Sequence, residues 1–183
     1  MTTCIALIRG INVGRAKRLP MAELRGLIEN LGNVNVRTLL NSGNVVFDSQ
    51  RPNVIKLAHS IGAAIEGKFG FSAPVIALTA ADFNTIVQEN PLHTAEHDPS
   101  RFLVVFVASL ATLVKTRPLL AESWSPEAVA VGRHAAYLWC ANGINESKLL
   151  QAFGRLAGEA STTRNWATVL KLQAVAGIGK NIA

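Results

Sequence analysis

The succession of hydrophobic periods along this chain narrows its fold more than any single motif does. Residues 4–8, Cys-Ile-Ala-Leu-Ile, form a continuous apolar run, the pattern of a strand within a sheet. Met21, Leu24, Leu27, Ile28 and Leu31 then recur at helical spacing, with Pro20 suited to the first helical position and Gly32 to the stop. Residues 34–40 and 45–47 are β-rich and flank Asn41-Ser-Gly-Asn44, which predicts a hairpin. Val54, Leu57, Ala58, Ile61, Ile65 and Phe69 mark a second helix. Residues 73–78 form a short strand whose Pro74 suits a sheet edge. Thr79-Ala-Ala-Asp82 opens a third helix like a capping box, with Phe83, Ile86 and Val87 facing inward, and Asn90-Pro91 ends it.

The same order then returns. Residues 102–107 are a strong strand, Ser109 caps a short helix limited by Pro118, and residues 128–131 and 135–140 form a hairpin around Gly132-Arg-His134. Asn145 is placed to cap a helix carrying Leu149, Leu150, Phe153 and Leu156. Residues 160–163 read as a weak strand, and 164–176 as a helix with Trp166, Val169 and Leu170. The exits agree too, Leu78-Thr-Ala-Ala-Asp-Phe83 against Ser161-Thr-Thr-Arg-Asn-Trp166. Identity between the halves is slight, so element order alone carries the inference of a duplication of about ninety residues.

One β-α-β-β-α-β unit folds as a split β-α-β, or ferredoxin-like, antiparallel sheet with both helices on one face. The expected fold class is therefore α+β: two tandem ferredoxin-like halves at 1–89 and 102–183, each with an extra helix after it, joined by a linker at 90–101. In that topology the first strand's end and the first hairpin turn share one edge of the sheet. Loop 9–19 and turn 41–44 are thus expected to be neighbours, although some thirty residues separate them.

That pairing defines the candidate site. The loop, Arg-Gly-Ile-Asn-Val-Gly-Arg-Ala-Lys-Arg-Leu, carries Arg9, Arg15, Lys17 and Arg18 beside two glycines and leads into a helix. Strand, cationic loop and helix start is a common way to build an anion site from backbone N–H groups and a helix dipole. The expected ligand-binding residues are Arg9, Gly10, Asn12, Gly14, Lys17, Asn41, Ser42 and Asn44. The spacing is neither G-x-G-x-x-G nor G-x-x-x-x-G-K-[ST], so no nucleotide fingerprint is present. The bland alternative is a solvated connection whose glycines only permit a tight exit from the strand. Arg164 and Asn165, at the expected start of the last helix, form a possible second anion site. The structural alternative there is a cap by Thr162 or Thr163, with Trp166 in the core.

Several motifs carry residues that are familiar together. Arg9-Gly-Ile-Asn-Val-Gly14, Leu19-Pro-Met-Ala-Glu-Leu24, Val36-Arg-Thr38, Asn41-Ser-Gly-Asn-Val-Val-Phe47 and Arg164-Asn-Trp-Ala-Thr-Val-Leu-Lys171 resemble an uncharacterised bacterial family, domain-of-unknown-function family 1697. The chain departs from it at Arg15-Ala-Lys-Arg18, where the family often has a further glycine, which makes the loop here stiffer and more cationic. The resemblance implies a fold and a cytosolic setting, with no established activity.

Composition sets the remaining bounds. With 183 residues, 49% apolar and 16% charged, the chain can bury a core. Eighteen Lys and Arg against twelve Asp and Glu give a net charge of +6, which favours anionic partners. Cys4 and Cys140 sit in apolar runs without CxxC spacing, the pattern of buried reduced thiols in a cytoplasmic protein. The longest apolar stretch, 102–114, is short of the ~20 residues of a membrane helix, and no export signal is expected. His93-Thr-Ala-Glu-His97 formally fits H-x-x-E-H, but Pro91 and Pro99 leave little helix to present both histidines, so no metal is expected. Gly177-Ile-Gly-Lys180 is too short and terminal for a phosphate loop. No cofactor is implied, and Ser42 has no acid or histidine at a recognisable spacing, so catalytic residues are unassigned. Three functional readings follow: binding of a phosphate-bearing small molecule, a homodimeric or partner-binding module, and non-specific nucleic-acid binding. The last is weakened by the lack of aromatics among the loop's cations.

Overall fold

A computed structural model of the chain describes residues 1–14, 16–50, 52–92 and 98–178. Its elements run β1 (Thr2–Ile8), α1 (Met21–Asn30), β2 (Val34–Leu39), β3 (Asn44–Ser49), α2 (Val54–Phe69), β4 (Val75–Thr79) and α3 (Ala80–Gln88). The order then repeats as β5 (Phe102–Val107), α4 (Leu110–Thr116), β6 (Ala128–Val131), β7 (Ala135–Trp139), α5 (Lys148–Ala157), β8 (Ser161–Asn165) and α6 (Trp166–Val175). The two four-stranded sheets have the orders β2-β3-β1-β4 and β6-β7-β5-β8, with every pair antiparallel. This is the duplicated split β-α-β arrangement, with a further helix after each half.

Packing divides the chain into two compact units, Met1–Asn84 together with the chain from Leu172, and Thr85–Lys171. The divisions fall within α3 and α6. Gln173 Nε2 donates to Asn84 Oδ1 at 3.0 Å, tying the late part of α6 to the first unit. Chain order by itself suggests contiguous halves at 1–89 and 102–183.

In the first unit, alternate residues of β1 (Cys4, Ala6, Ile8) and β3 (Val45, Phe47) pack with Leu24, Leu27 and Ile28 of α1 and Ile61 and Ile65 of α2. The opposite face, with Ile5, Leu7 and Val46, is also fully buried. Burial on both faces is why β1 reads as an unbroken apolar run. In the second unit, Leu103 and Val105 of β5 and Ala136 and Leu138 of β7 pack with Leu113, Leu149 and Phe153. Here too the other face is buried, with Phe102, Val104, Phe106 and Tyr137 inside.

The local signals act mostly as their chemistry dictates. Asn53 Oδ1 accepts from the Lys56 N–H at 3.0 Å and starts α2. Thr79 accepts from the Asp82 N–H at 3.1 Å and starts α3. β4 pairs only with β1, so the proline-led strand is an edge.

Other expectations need correction. Pro20 occupies the cap position of α1, one residue before the helix, because its ψ of 135° is extended. Ser147, not Asn145, caps α5: its Oγ accepts from the Leu150 N–H at 2.9 Å, while Asn145 lies in the preceding turn. Leu31, Leu156 and Leu170 are 40–42% exposed, since helical spacing alone cannot tell a flank from a buried stripe. The last helix starts two residues later than expected: Arg164 and Asn165 complete β8, and Asn165 Oδ1, rather than Thr162 or Thr163, accepts from Thr168 N–H at 2.9 Å. Trp166 does pack inward, edge-on to Phe102 with ring centres 5.5 Å apart.

Candidate functional site

The loop after β1 and the β2–β3 turn are neighbours, and the contact is made of hydrogen bonds. The Ile8 N–H donates to the Gly43 carbonyl at 2.8 Å. Asn12 spans the gap, with Nδ2 donating to the Asn41 carbonyl at 2.8 Å and to the Leu19 carbonyl at 2.9 Å. Asn12 Oδ1 accepts from the Leu19 N–H at 2.8 Å, and the Asn12 N–H donates to the Lys17 carbonyl at 3.1 Å. Asn12 is therefore the tie that closes the loop on itself and fastens it to the hairpin. Both of its amide hydrogens are spent on this, so it shapes a site rather than donating to a ligand.

Conformation adds to the picture. Asn12, Lys17 and Leu40 all have positive φ, at 56°, 49° and 58°. Gly43, at φ 77°, lies so close to β1 that a Cβ would sit 2.8 Å from the Ile8 carbonyl oxygen. The hairpin's positive-φ positions are thus Leu40 and Gly43, with neither Asn41 nor Asn44 among them. Buried Ile11 and Leu19 anchor the loop from below.

This framework leaves an open cleft of about 320 Å³, lined by Asn12, Arg18, Leu19, Pro20, Met21 and Asn41. The first intrahelical bond of α1 runs from the Leu24 N–H to the Pro20 carbonyl at 3.0 Å, and no side chain caps the helix. The N–H groups of Met21, Ala22 and Glu23 therefore start the helix without helical acceptors, beside the exposed Arg18. Glu23, the one acid in this first turn, is engaged by Lys68.

The remaining candidates fall elsewhere. Lys17 Nζ donates to the Ser72 carbonyl at 2.9 Å, so its charge latches the loop to the approach to β4. Asn44 is fully buried, and its Nδ2 donates to Leu39 O at 3.0 Å and Ser42 Oγ at 2.9 Å. Ser42 is turned to Asn44 in this way. Arg9 is half-buried, and its N–H donates to the Pro74 carbonyl at 2.9 Å. Gly10 and Gly14 are exposed, at φ 70° and 61°. Arg15 lies outside the described residues, as do His93–His97 and the end of the Gly177–Lys180 motif. Arg18, one of the four loop cations that the sequence sets at this edge but not among the expected ligand-binding residues, lines the cleft.

A family model described as "Protein of unknown function (DUF1697)" matches residues 1–137. The chain belongs to the DUF1697 family. The matched span holds the loop, the hairpin and the cleft, while Arg164–Lys171 lies beyond it. A conserved bacterial protein from Streptococcus pneumoniae has a similar structure, with a TM-score of 0.78 at 22% identity over 97% of this chain and 99% of that chain. At that identity the likeness is one of fold. No curated protein matches.

In this DUF1697 chain the residues of the second expected anion position, Arg164 and Asn165, complete β8. Arg164 lies in β8 opposite Val104, 9% exposed, and donates to Thr162 Oγ1 at 2.9 Å and to the Thr163 carbonyl at 2.7 Å. Burial lowers its pKa to about 10. Neither thiol is primed as a nucleophile: burial, helped by Asp48 and Asp82, pushes Cys4 up to about 11, and burial raises Cys140. No group of three or more His, Cys, Asp or Glu side chains among the described residues could hold a metal. No described helix is long and apolar enough to cross a membrane.

Proposed function

We propose that this protein binds a small phosphate-bearing ligand in the cleft between the loop after β1 and the start of α1. The observation that carries the reading is the uncapped N-terminus of α1 opening beside Arg18 in a cleft whose shape Asn12 holds. Helix N–H groups and a nearby guanidinium are the chemistry that a phosphate oxygen seeks. The net charge of +6 draws anions toward the surface. Asn41, whose side chain is exposed at the rim, supplies a polar contact for the rest of the ligand.

Thermal unfolding in the presence of inorganic phosphate, sugar phosphates, nucleoside monophosphates and short RNA tests this. A ligand at a hundredfold its Kd is expected to stabilise the wild-type protein by about 2.7 kcal/mol. Arg18→Ala, an exposed change, is expected to keep the fold and lose that gain. If no probe stabilises the wild type more than Arg18→Ala, the reading is wrong. A response to RNA alone, falling steeply with salt, would favour nucleic acid instead.

A further inference from the structure

The outer edge of the first sheet carries a feature that the cleft does not explain. β2 is a terminal strand, and its pairing with β3 jumps from Val34↔Asp48 to Arg37↔Val46. Two residues of β2, Asn35 and Val36, therefore face the single Phe47 of β3, which is a β-bulge. Asn35 takes a left-handed φ of 54°, and its Nδ2 donates to Asp48 Oδ2 at 2.8 Å. The other oxygen of the same carboxylate accepts from Thr3 Oγ1 at 2.8 Å, so Asp48 links the bulge to β1 across the sheet. Those two hydrogen bonds favour the ionised carboxylate and lower its pKa. The bend leaves an open hollow of about 440 Å³ lined by Asn35, Val36, Arg37 and Asp48.

The edge so interrupted would otherwise be adhesive. Exposed apolar side chains flank it, Leu31 at 40%, Val34 at 39% and Leu40 at 50%. A straight strand between them would present a row of unpaired N–H and carbonyl groups, the template on which a second chain adds.

We propose that the Asn35 bulge, held by Asp48 and Thr3, is a guard that stops β2 from pairing edge to edge with the β2 of a second copy of this chain. The bulge turns the backbone of residues 34–36 off the ladder. Only Arg37–Leu39 remain in regular register, too short a run for stable strand addition. The partner excluded is another copy because β2 lying antiparallel on itself would bring the same flanking leucines and valines together.

Light scattering of the full chain across a concentration series, with circular dichroism to check folding, tests the guard. Asn35→Val disfavours the left-handed conformation and favours a strand, so its mass is expected to shift to two chains at concentrations where the wild type stays at one. Asn35→Gly keeps the left-handed conformation open and is expected to stay at one. Adding Val34→Lys to Asn35→Val is expected to restore the single-chain mass, because a lysine on the edge would have to bury its charge against the apolar end of the other copy's β2. A chain lacking Asn35 altogether has one-to-one pairing restored, and it decides the matter if Asn35→Val fails to fold; a single-chain mass for it would then overturn the proposal. So would a folded Asn35→Val that stays single, an Asn35→Gly that associates equally, or a wild-type dimer that Val34→Lys splits.

Discussion

The side chain of Asn12 donates to the main-chain carbonyl of Asn41, 2.8 Å away and 29 residues on in sequence. The same amide closes the loop through Leu19, so one side chain sets both the shape of the cationic loop and its position against the hairpin. A loop with two exposed glycines is held by this tie together with the Lys17 latch to Ser72.

Asn12→Ala removes three side-chain hydrogen bonds and is expected to lower stability by about 2–3 kcal/mol, read by urea unfolding. Asn12→Asp is the informative companion. It retains an acceptor for the Leu19 N–H but sets a carboxylate oxygen against the carbonyls of Leu19 and Asn41, where hydrogens were. It is expected to be no more stable than the alanine variant near neutral pH. Wild-type stability in Asn12→Asp would show that the two donated bonds contribute nothing.

Gly43 and Gly10 separate backbone strain from close contact. Both have positive φ, but nothing lies within 4 Å of a Cβ added at Gly10, while one at Gly43 would meet Ile8 O at 2.8 Å and Ile8 Cβ at 2.9 Å. Gly10→Ala is expected to destabilise by about 1–2 kcal/mol, the cost of a left-handed residue. Gly43→Ala adds the displacement of β1 and is expected to exceed that by roughly 1–3 kcal/mol. Equal losses in chemical denaturation would mean that the hairpin is free to move away from β1.

Tyr137 provides a pH test in the second unit. Its hydroxyl donates to the Ile86 carbonyl at 2.6 Å, and burial, with Glu89 adding to it, pushes the phenol well above its ordinary pKa. A proton held more tightly in the folded state stabilises it fully below the unfolded pKa near ~10 and progressively less above it. Stability is therefore expected to fall as pH rises beyond about 10. Tyr137→Phe is expected to lose about 1–2 kcal/mol at neutral pH and to flatten that alkaline decline. An unchanged decline would locate it in other groups.

The two β-α-β-β-α-β orders and the family motifs were legible because they rest on local chemistry: period, cap, turn and proline. So was the meeting of loop and hairpin, which follows from topology once the strand order is known. Arg18 and Arg164 mark where legibility ended. Both are arginines near a helix start in the sequence, yet Arg18 opens onto a cleft and Arg164 is 9% exposed inside a sheet. A shift of two residues in where β8 ends decides the second case, and local propensity does not resolve boundaries that finely.

By itself, the sequence determined the fold class, the duplication and the basic character of the loop, since these depend on which residues lie near each other along the chain. Only the tertiary structure decided that Asn12 is spent on the framework, that Lys17 is latched to Ser72, and that Asp48 holds the bulge of β2. Hydrogen-bond capacity is a property of the residue, but which partner consumes it is set by distances across 13 to 55 residues. That same consumption turned the cationic strand-to-helix loop into a framework and left Arg18 and the start of α1 facing the cleft.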